Sequence, residues 1–549
     1  RGLGDVYKRQ VNPLRPHYLC PKCHYSEFYD DPSIASGFDL PDKVCPHCGE
    51  TMRGNGHNIP FQTFLGFNAD KTPDIDLNFS NEYQWRAHAF IKDVFGEDHA
   101  FRAGTIGTVA EKTAFGYVKK YEENTGKSFS NSEELVLANG CTGTKRTTGQ
   151  HPGGIIVVPA DREIFEFCPV QKPANNRDAE FITTHFDYHK IDKNLLKLDI
   201  LGHDVPQMIR HLQDMTGVDP LGIDIADKKT LSIFTSIDAL NIVNPDDYEF
   251  KHGTYGIPEF GTNFTRGMLD AIKPKTISAL IKISGFSHGT DVWTNNAEDL
   301  IKNGVATIDE LISCRDDIMN YLMIKGVDKS NAFKIMEAVR KNKELKQEEL
   351  DIMKEHGVPD WYVESCRTLK YLFPRAHAAA YVMMALRMAW FKVYYPSAFY
   401  CAWLSTKIDN FDVNVARGGV EAAKAALSSL NSEDDDTSAA KKKELKVVYE
   451  VIYELLSRGC EFSLPELGVS DPCMFNVVDD KIKIPFMAVS GVGRSAAISL
   501  AEAYKEGPFL SIDEVQRKTK LSSTNIEDLK ACGVFDELPD SAQVSIFDM

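Results

Sequence analysis

The run Thr72-Pro-Asp-Ile-Asp-Leu-Asn-Phe-Ser80 alternates strictly between polar and apolar residues. On a strand, that alternation sends Ile75, Leu77 and Phe79 to a core and Asp74, Asp76 and Asn78 to the other face. Two carboxylates then project side by side, and like charges at that spacing repel unless a cation sits between them. Far downstream, Leu195-Leu-Lys-Leu-Asp-Ile-Leu201 reads as a second strand, with Lys197 and Asp199 on one face of an otherwise apolar run. Asp74, Asp76 and Asp199 on two neighbouring strands supply the donors to hold two Mg2+ ions, the arrangement used for phosphoryl and nucleotidyl transfer. Lys197 then stands where it neutralises phosphate. The same residues also suit a blander arrangement, in which Asp74 and Asp76 cap a strand end and Asp199 pairs with a lysine.

A second constellation is built from sulfur. Cys20-Pro-Lys-Cys23 and Cys45-Pro-His-Cys48 are two CxxC pairs with 21 residues between them. Each CxxC turn aims two thiolates at one ion, and two such turns complete a tetrahedral shell that favours Zn2+. His17, His24 and His47 lie close by, but four sulfurs already fill the shell, so the expected Zn2+ is structural and leaves no position for water.

Three further stretches carry weaker signals. Residues 145–154 form a Gly-rich polar segment before the strand-like 155–158; they read either as a loop offering backbone N–H groups to phosphate or as a plain tight turn. Between Trp361 and Tyr395, the cations Arg367, Lys370, Arg375, Arg387 and Lys392 face only Glu364, which predicts a locally basic helical surface. Tyr381 follows His377 by four residues and shares its helical face, while Trp390 and Phe391 read as core. The segment Phe486-Met-Ala-Val-Ser-Gly-Val-Gly-Arg-Ser-Ala-Ala497 reads as a helix-hairpin-helix. Gly491 and Gly493 permit the tight turn and let amides approach a DNA phosphate, with Arg494 beside them; a GxG between helices can also be only a turn. Residues 521–538, around Gly533, read as a degenerate second copy.

These residues need a large scaffold. The chain has 549 residues, enough for about three to five domains. Apolar residues make up 43% and charged residues 26%, an ordinary globular composition and not a disordered one. No apolar run approaches the ~20 residues of a membrane span, and no secretory signal is visible. The net charge of −17 excludes a chain coated in positive charge, but not a local basic surface for nucleic acid. Twelve cysteines are too sparse for a disulfide scaffold, and the pattern fits a reducing cytoplasm with one metal site.

The fold class expected is α+β and multidomain: a zinc-stapled module over 11–56, a mixed α/β region over 57–215, and a mainly helical region over 216–403. A helical region with the hairpin follows over 404–538, and then a tail over 539–549. Strands are expected at 155–158, 181–188 and 195–201, and the longest helix at 376–395. The run Glu433–Asp436 followed by Lys441–Lys443 reads as a solvated connection between helices. Residues 1–10 look foreign, like the translation of a sequencing adapter, so the chain is expected to be the C-terminal part of something longer.

The motifs together resemble a known family, the catalytic subunits of bacterial replicative DNA polymerase III, of the PolC type. The resemblance is carried by PDIDLNFS (73–80), FRAGTIGTVAEKTAFGYVK (101–119), TTGQHPGGIIVVP (147–159), THFDYH (184–189), LLKLDILGHD (195–204), ISGFSHGTDVW (283–293), CRDDIM (314–319) and FPRAHAAAYVMMALRMAWFKVYYP (373–396). It covers residues 11–549. It implies templated addition of dNTPs to a primer 3′-OH, with Asp74, Asp76 and Asp199 as catalytic ligands of two Mg2+ and Lys197 as the palm lysine. It implies nucleotide contacts from the fingers, with Arg375, His377, Arg315 and Arg340 as candidates; Arg375 stands where the family usually has lysine, which keeps the charge and changes the donor geometry. The tail Gln543-Val-Ser-Ile-Phe547 resembles the family's sliding-clamp-binding peptide, in which Gln543 would bond a pocket rim while Val544, Ile546 and Phe547 fill the pocket. Primer-template DNA, dNTPs, the clamp and other replisome subunits are the implied partners. A Gly-Ser palm loop and the OB-fold, exonuclease and PHP regions precede VNPLRPHY in the family and are missing here, so the isolated chain is expected to lack proofreading and to be impaired in synthesis. Two other functions use the same residues: a two-metal nuclease, and a non-catalytic DNA-binding and clamp-tethering module.

Overall fold

A computed structural model describes residues 11–541, apart from 30–33, 69–74, 173–177, 179–180, 193 and 431–436. Asp74, the residues 1–10, the run 433–436 and the clamp-type peptide 543–547 lie outside the described residues. The chain divides into two compact units, one built on Thr72–Pro206 and the other on Tyr7–Lys71 and Gln207–Met549.

The cysteine module, in the second unit, folds on four short antiparallel strands: β1 (His17–Leu19), β2 (Ser26–Phe28), β3 (Lys43–Val44) and β4 (Thr51–Asn55), in the order β2-β1-β4-β3. Tyr18, Met52, Cys20 and Cys45 form its small core. So few apolar residues make a marginal core, and a fold of this size ordinarily needs a metal or disulfide staple.

The Thr72–Pro206 unit is a six-stranded mixed sheet with helices. Its elements are β5 (Ile75–Ser80), α1 (Gln84–Phe95), β6 (Ala100–Thr108), α2 (Glu111–Thr125), α3 (Asn131–Cys141), β7 (Lys145–Val157), β8 (Val170–Gln171), β9 (Thr183–Asp187) and β10 (Leu196–His203). The strand order is β5-β10-β7-β6-β9-β8. β5 runs parallel to β10, and β7 is antiparallel to both β10 and β6. Period-2 alternation sorts the two faces. Ile75, Leu77, Phe79, Ile155, Val157, Leu198 and Ile200 join Ile91 of α1 in one core. Phe101, Ala103, Ile156, Val158 and Leu195 join Ile164, Cys168 and Ile191 in the other. The acidic strand therefore presents Ile75, Leu77 and Phe79 to a core, as its alternation requires. β7 starts ten residues before the strand-like 155–158, because residues 145–150 pair with the far end of β6.

The second unit is mainly helical beyond the module. α4 (Asp204–Thr216) leads into it. Among its described helices are α5 (Asn263–Ile272), α6 (Ile277–His288), α7 (Arg315–Ile324), α8 (Lys329–Arg340), α9 (Asp360–Thr368), α10 (Arg375–Tyr394), α11 (Pro396–Ser405) and α12 (Ala439–Ser457). α10 is bounded by Pro374 and by Pro396, which begins the next helix, and packs against α6, α7 and α11. A helix packed on several sides reads as apolar nearly all round, and fourteen of its twenty residues are buried. The expected basic surface is therefore corrected: Arg375, Arg387 and Lys392 are all buried. Lys392 is fully enclosed, with Nζ 2.8 Å from the Gly253 carbonyl and 2.5 Å from Glu454. Arg387 donates to the Pro220 carbonyl at 2.9 Å. A buried cation needs partners, and these three have them inside the protein. Phe391 is fully buried, as its sequence suggests.

The C-terminal part carries a three-stranded sheet of β11 (Phe462–Ser463), β12 (Asn476–Val478) and β13 (Lys481–Lys483), then α13 (Arg494–Lys505), α14 (Ile512–Lys518) and α15 (Ser523–Ala531). The whole is α+β and multidomain, and no described helix is long and apolar enough to cross a membrane.

Candidate functional site

The register of β5 on β10 decides the acidic site. Asp76 lies directly opposite Asp199, and on the other side Asp199 faces Gly154 of β7. In-register neighbours share a face, so both carboxylates project from the same side of the sheet. Asp76 is exposed. Asp199 is largely enclosed; its Oδ2 lies 3.0 Å from Lys197 Nζ, whose ammonium sits over the Tyr188 ring at 4.8 Å. Asp199 Oδ1 is buried and has no hydrogen-bond partner among the described residues. An orphaned buried carboxylate oxygen is costly, and a cation is the ligand that relieves it. Oxygen donors of this kind suit Mg2+.

Behind this pair stands a support that sequence reasoning did not single out. His151 Nδ1 lies 3.7 Å from Asp199 Oδ1 and accepts hydrogen bonds from the Gly154 and Gly153 amides at 2.7 and 3.2 Å. Burial lowers the pKa of this imidazole, against the opposing pull of Asp199. Arg102 of β6 donates to the carbonyls of His151 and Pro152 at 3.0 and 2.9 Å, and to the ring of His88. Burial and the Arg102 charge push the His88 imidazole down to about 4, so it accepts from the guanidinium as a neutral ring. The Gly-rich segment is thus strand and bulge, and the Gly153 and Gly154 amides are taken up by His151. A Cβ on Gly154 would lie 2.9 Å from His151 Nδ1, so the ring can fold back only over glycine. The signal in the sequence was the His-Pro-Gly-Gly spacing, which read as a turn.

The four cysteines converge. Their sulfurs all lie within 4.8 Å of one another, with Cys20–Cys48 at 3.4 Å and Cys23–Cys45 at 3.5 Å. A tetrahedral site with Zn–S near ~2.3 Å places sulfurs ~3.8 Å apart, so the cluster is consistent with a zinc module. The two turns are built alike. The His24 amide bonds the Cys20 carbonyl, and the Gly49 amide bonds the Cys45 carbonyl. His24 and Gly49 both take positive φ, +60° and +74°, the left-handed backbone that turns the chain back under its sulfurs; it costs glycine nothing and His24 a little.

Each fingers candidate is engaged within the protein. Arg375 is 4% exposed, with Nη1 3.2 Å from Asp317 and Nη2 3.3 Å from the Ala35 carbonyl; it anchors the interior where the sequence suggested a nucleotide contact. Burial raises the Asp317 carboxyl, but Lys282, Arg375 and Ser313 together hold it below the ordinary range. Arg315 donates to the Thr63 carbonyl at 2.8 Å, and Arg340 makes a two-pronged bond to Glu337. His377 packs on Tyr381 and His288, with ring centres 4.5 and 5.1 Å apart.

In the hairpin, the first arm is a single 3-10 turn, Phe486–Ala488, where the sequence suggested a helix. Gly491 has φ +77°, and its carbonyl accepts from Asn525 of α15 at 2.8 Å. Gly493 caps α13, and Gly491, Gly493 and Arg494 are exposed.

Comparison with known proteins agrees with this organisation. The model of the bacterial DNA polymerase III alpha NTPase domain matches residues 10–134 and 119–202, that of the alpha subunit finger domain matches 205–358, and a helix-hairpin-helix motif matches 459–544. DNA polymerase III PolC-type of Caldanaerobacter subterraneus is 51% identical over 538 residues, 98% of this chain and 38% of that protein. The proteins of the same name from Halalkalibacterium halodurans and Bacillus cereus are each 52% identical over 98% of this chain and 37% of their own length. The chain thus spans less than two-fifths of the relatives it matches. Polymerase models in chain order and half-identity over nearly every residue have one meaning: the chain belongs to the PolC-type family of bacterial DNA polymerase III alpha subunits.

Proposed function

We propose that the chain carries the palm (57–215), fingers (216–403) and duplex-binding region (404–538) of a cytoplasmic replicative DNA polymerase. The single observation that supports it best is the orphaned Asp199 Oδ1, in register with Asp76 and beside Lys197. Asp76 and Asp199, with Asp74 from the sequence, would hold Mg2+, which when bound activates the primer 3′-hydroxyl and binds the triphosphate. Lys197 neutralises phosphate charge, and Tyr188 keeps its ammonium in place. The exposed Gly491, Gly493 and Arg494 at the start of α13 suit sequence-independent contact with DNA phosphates. The cysteine cluster holds a structural Zn2+ and takes no part in the chemistry. The peptide 543–547 tethers a sliding clamp, a reading supported by its sequence alone.

Primer extension with dNTPs in a full-length PolC-type polymerase tests the reading. Asp76→Ala there should abolish nucleotide addition while DNA binding stays near normal. Full extension by the variant would remove Asp76 from the chemistry. A wild-type protein that shortens the primer when supplied with dNTPs would point to a nuclease instead.

A further inference from the structure

The HPGG turn fixes the protonation of one imidazole beside the acidic pair. Both nearby backbone amides, Gly154 at 2.7 Å and Gly153 at 3.2 Å, donate to His151 Nδ1. An amide N–H can only donate, so Nδ1 must be the acceptor, and a neutral ring then carries its proton on Nε2. The tautomer of the neutral ring is therefore set by the backbone. The ring turns Nδ1 towards Asp199, at 3.7 Å, so the carboxylate does not take the Nε2 proton. Nε2 has no hydrogen-bond partner among the described residues, and the side chain is 30% exposed. Arg102 holds the turn by gripping the carbonyls of His151 and Pro152. The turn also requires both glycines: a Cβ on Gly154 would collide with Nδ1, and a Cβ on Gly153 would lie 2.6 Å from the Ile200 carbonyl. A tautomer held this firmly on the face of the acidic pair is a preorganised donor.

We propose that His151 is a nucleotide-contacting residue, whose Nε2–H donates to a polyphosphate oxygen of the incoming dNTP. This rests on the nucleotidyl-transfer reading of the Asp76–Asp199 face. Lys197 supplies charge at that face, and His151 supplies a directed neutral donor.

Two substitutions separate contact from scaffolding. The amide nitrogen of Gln can replace the Nε2 donor, while the oxygen of Asn can replace the Nδ1 acceptor. Binding of magnesium-dATP to the 549-residue chain is measured by titration calorimetry for wild type, His151→Gln, His151→Asn and Asp199→Ala, each with its unfolding midpoint. The expected result is that His151→Asn keeps the midpoint and weakens binding about tenfold or more, the worth of one hydrogen bond to a charged group. His151→Gln should stay closer to wild type in binding, even with a lower midpoint. Equal binding by His151→Asn and wild type overturns the proposal and leaves the site reading standing. Binding by His151→Gln that is as weak as that of His151→Asn, or weaker, also overturns it and assigns His151 to holding the Gly153-Gly154 turn. A wild-type chain that binds no magnesium-dATP, or an Asp199→Ala chain that binds it fully, sinks the site reading and this proposal with it.

Discussion

Replacing Arg375 separates an internal anchor from a nucleotide contact. In the structure, Arg375 is 4% exposed and its guanidinium meets Asp317, itself buried, at 3.2 Å. Arg375→Ala leaves Asp317 charged in the interior with Lys282 at 3.5 Å as its remaining cation. Breaking a buried pair by removing one partner costs about 3–5 kcal/mol, and the surviving lysine places this case near ~3 kcal/mol. That is a change of about 150-fold in the folding equilibrium. The Ala35 carbonyl also loses its donor, so the cysteine module loses one tie to α10. Urea unfolding followed by circular dichroism should show a lower midpoint, and Arg375→Lys, which keeps the charge, should fall much less. The sign with pH follows from the depressed Asp317 carboxyl. The pair's contribution is present above the unfolded carboxylate value of ~3.9 and is lost as the pH falls through the lower folded value. The gap between wild type and Arg375→Ala should therefore close only in strong acid. An unchanged midpoint together with lost magnesium-dATP binding would refute this reasoning and return Arg375 to the nucleotide.

Other expectations follow from the same structure. His57 is fully buried, and burial with the nearby Arg375 charge pushes its imidazole down to about 3. It folds neutral and must ionise on unfolding, so stability should fall by about 1.4 kcal/mol per unit as the pH drops from ~6.5 towards that value. His57→Leu should flatten the slope by one proton, and an unchanged slope would count against it. Chelation should loosen 11–56 first. Because Asp39 accepts from the Ile277 and Ser278 amides at 2.7 and 2.8 Å, hydrogen exchange should next rise at the start of α6. Metal analysis should find one zinc per chain after reducing purification. Phe547→Ala should lower clamp affinity about thirtyfold and spare the unfolding midpoint, because anchor loss commonly costs ≥2 kcal/mol. A lowered midpoint with unchanged clamp affinity would place the ring in the chain's own core.

The sequence alone determined what local periodicity and spacing can encode. Alternation in 75–79 placed three apolar side chains on a core, and the embedded Lys197 and Asp199 marked the partner strand. Two CxxC pairs announced their convergence, because a four-residue turn aims its sulfurs whatever surrounds it. Helix α10 was legible as the longest helical run, at 376–395. Tertiary structure alone decided register and burial. That Asp76 faces Asp199 is a pairing between residues more than 120 apart, set by which strands share the sheet. The cations of α10 looked like a surface because charge usually is one; only the packing of neighbouring helices shows that carbonyls and carboxylates from elsewhere in the chain enclose Arg375, Arg387 and Lys392. The HPGG segment read as a turn for a similar reason. Gly154 is required by a ring folding back onto its own strand and Gly153 by the close Ile200 carbonyl of β10, and these contacts exist only once β6 and β10 hold β7 between them.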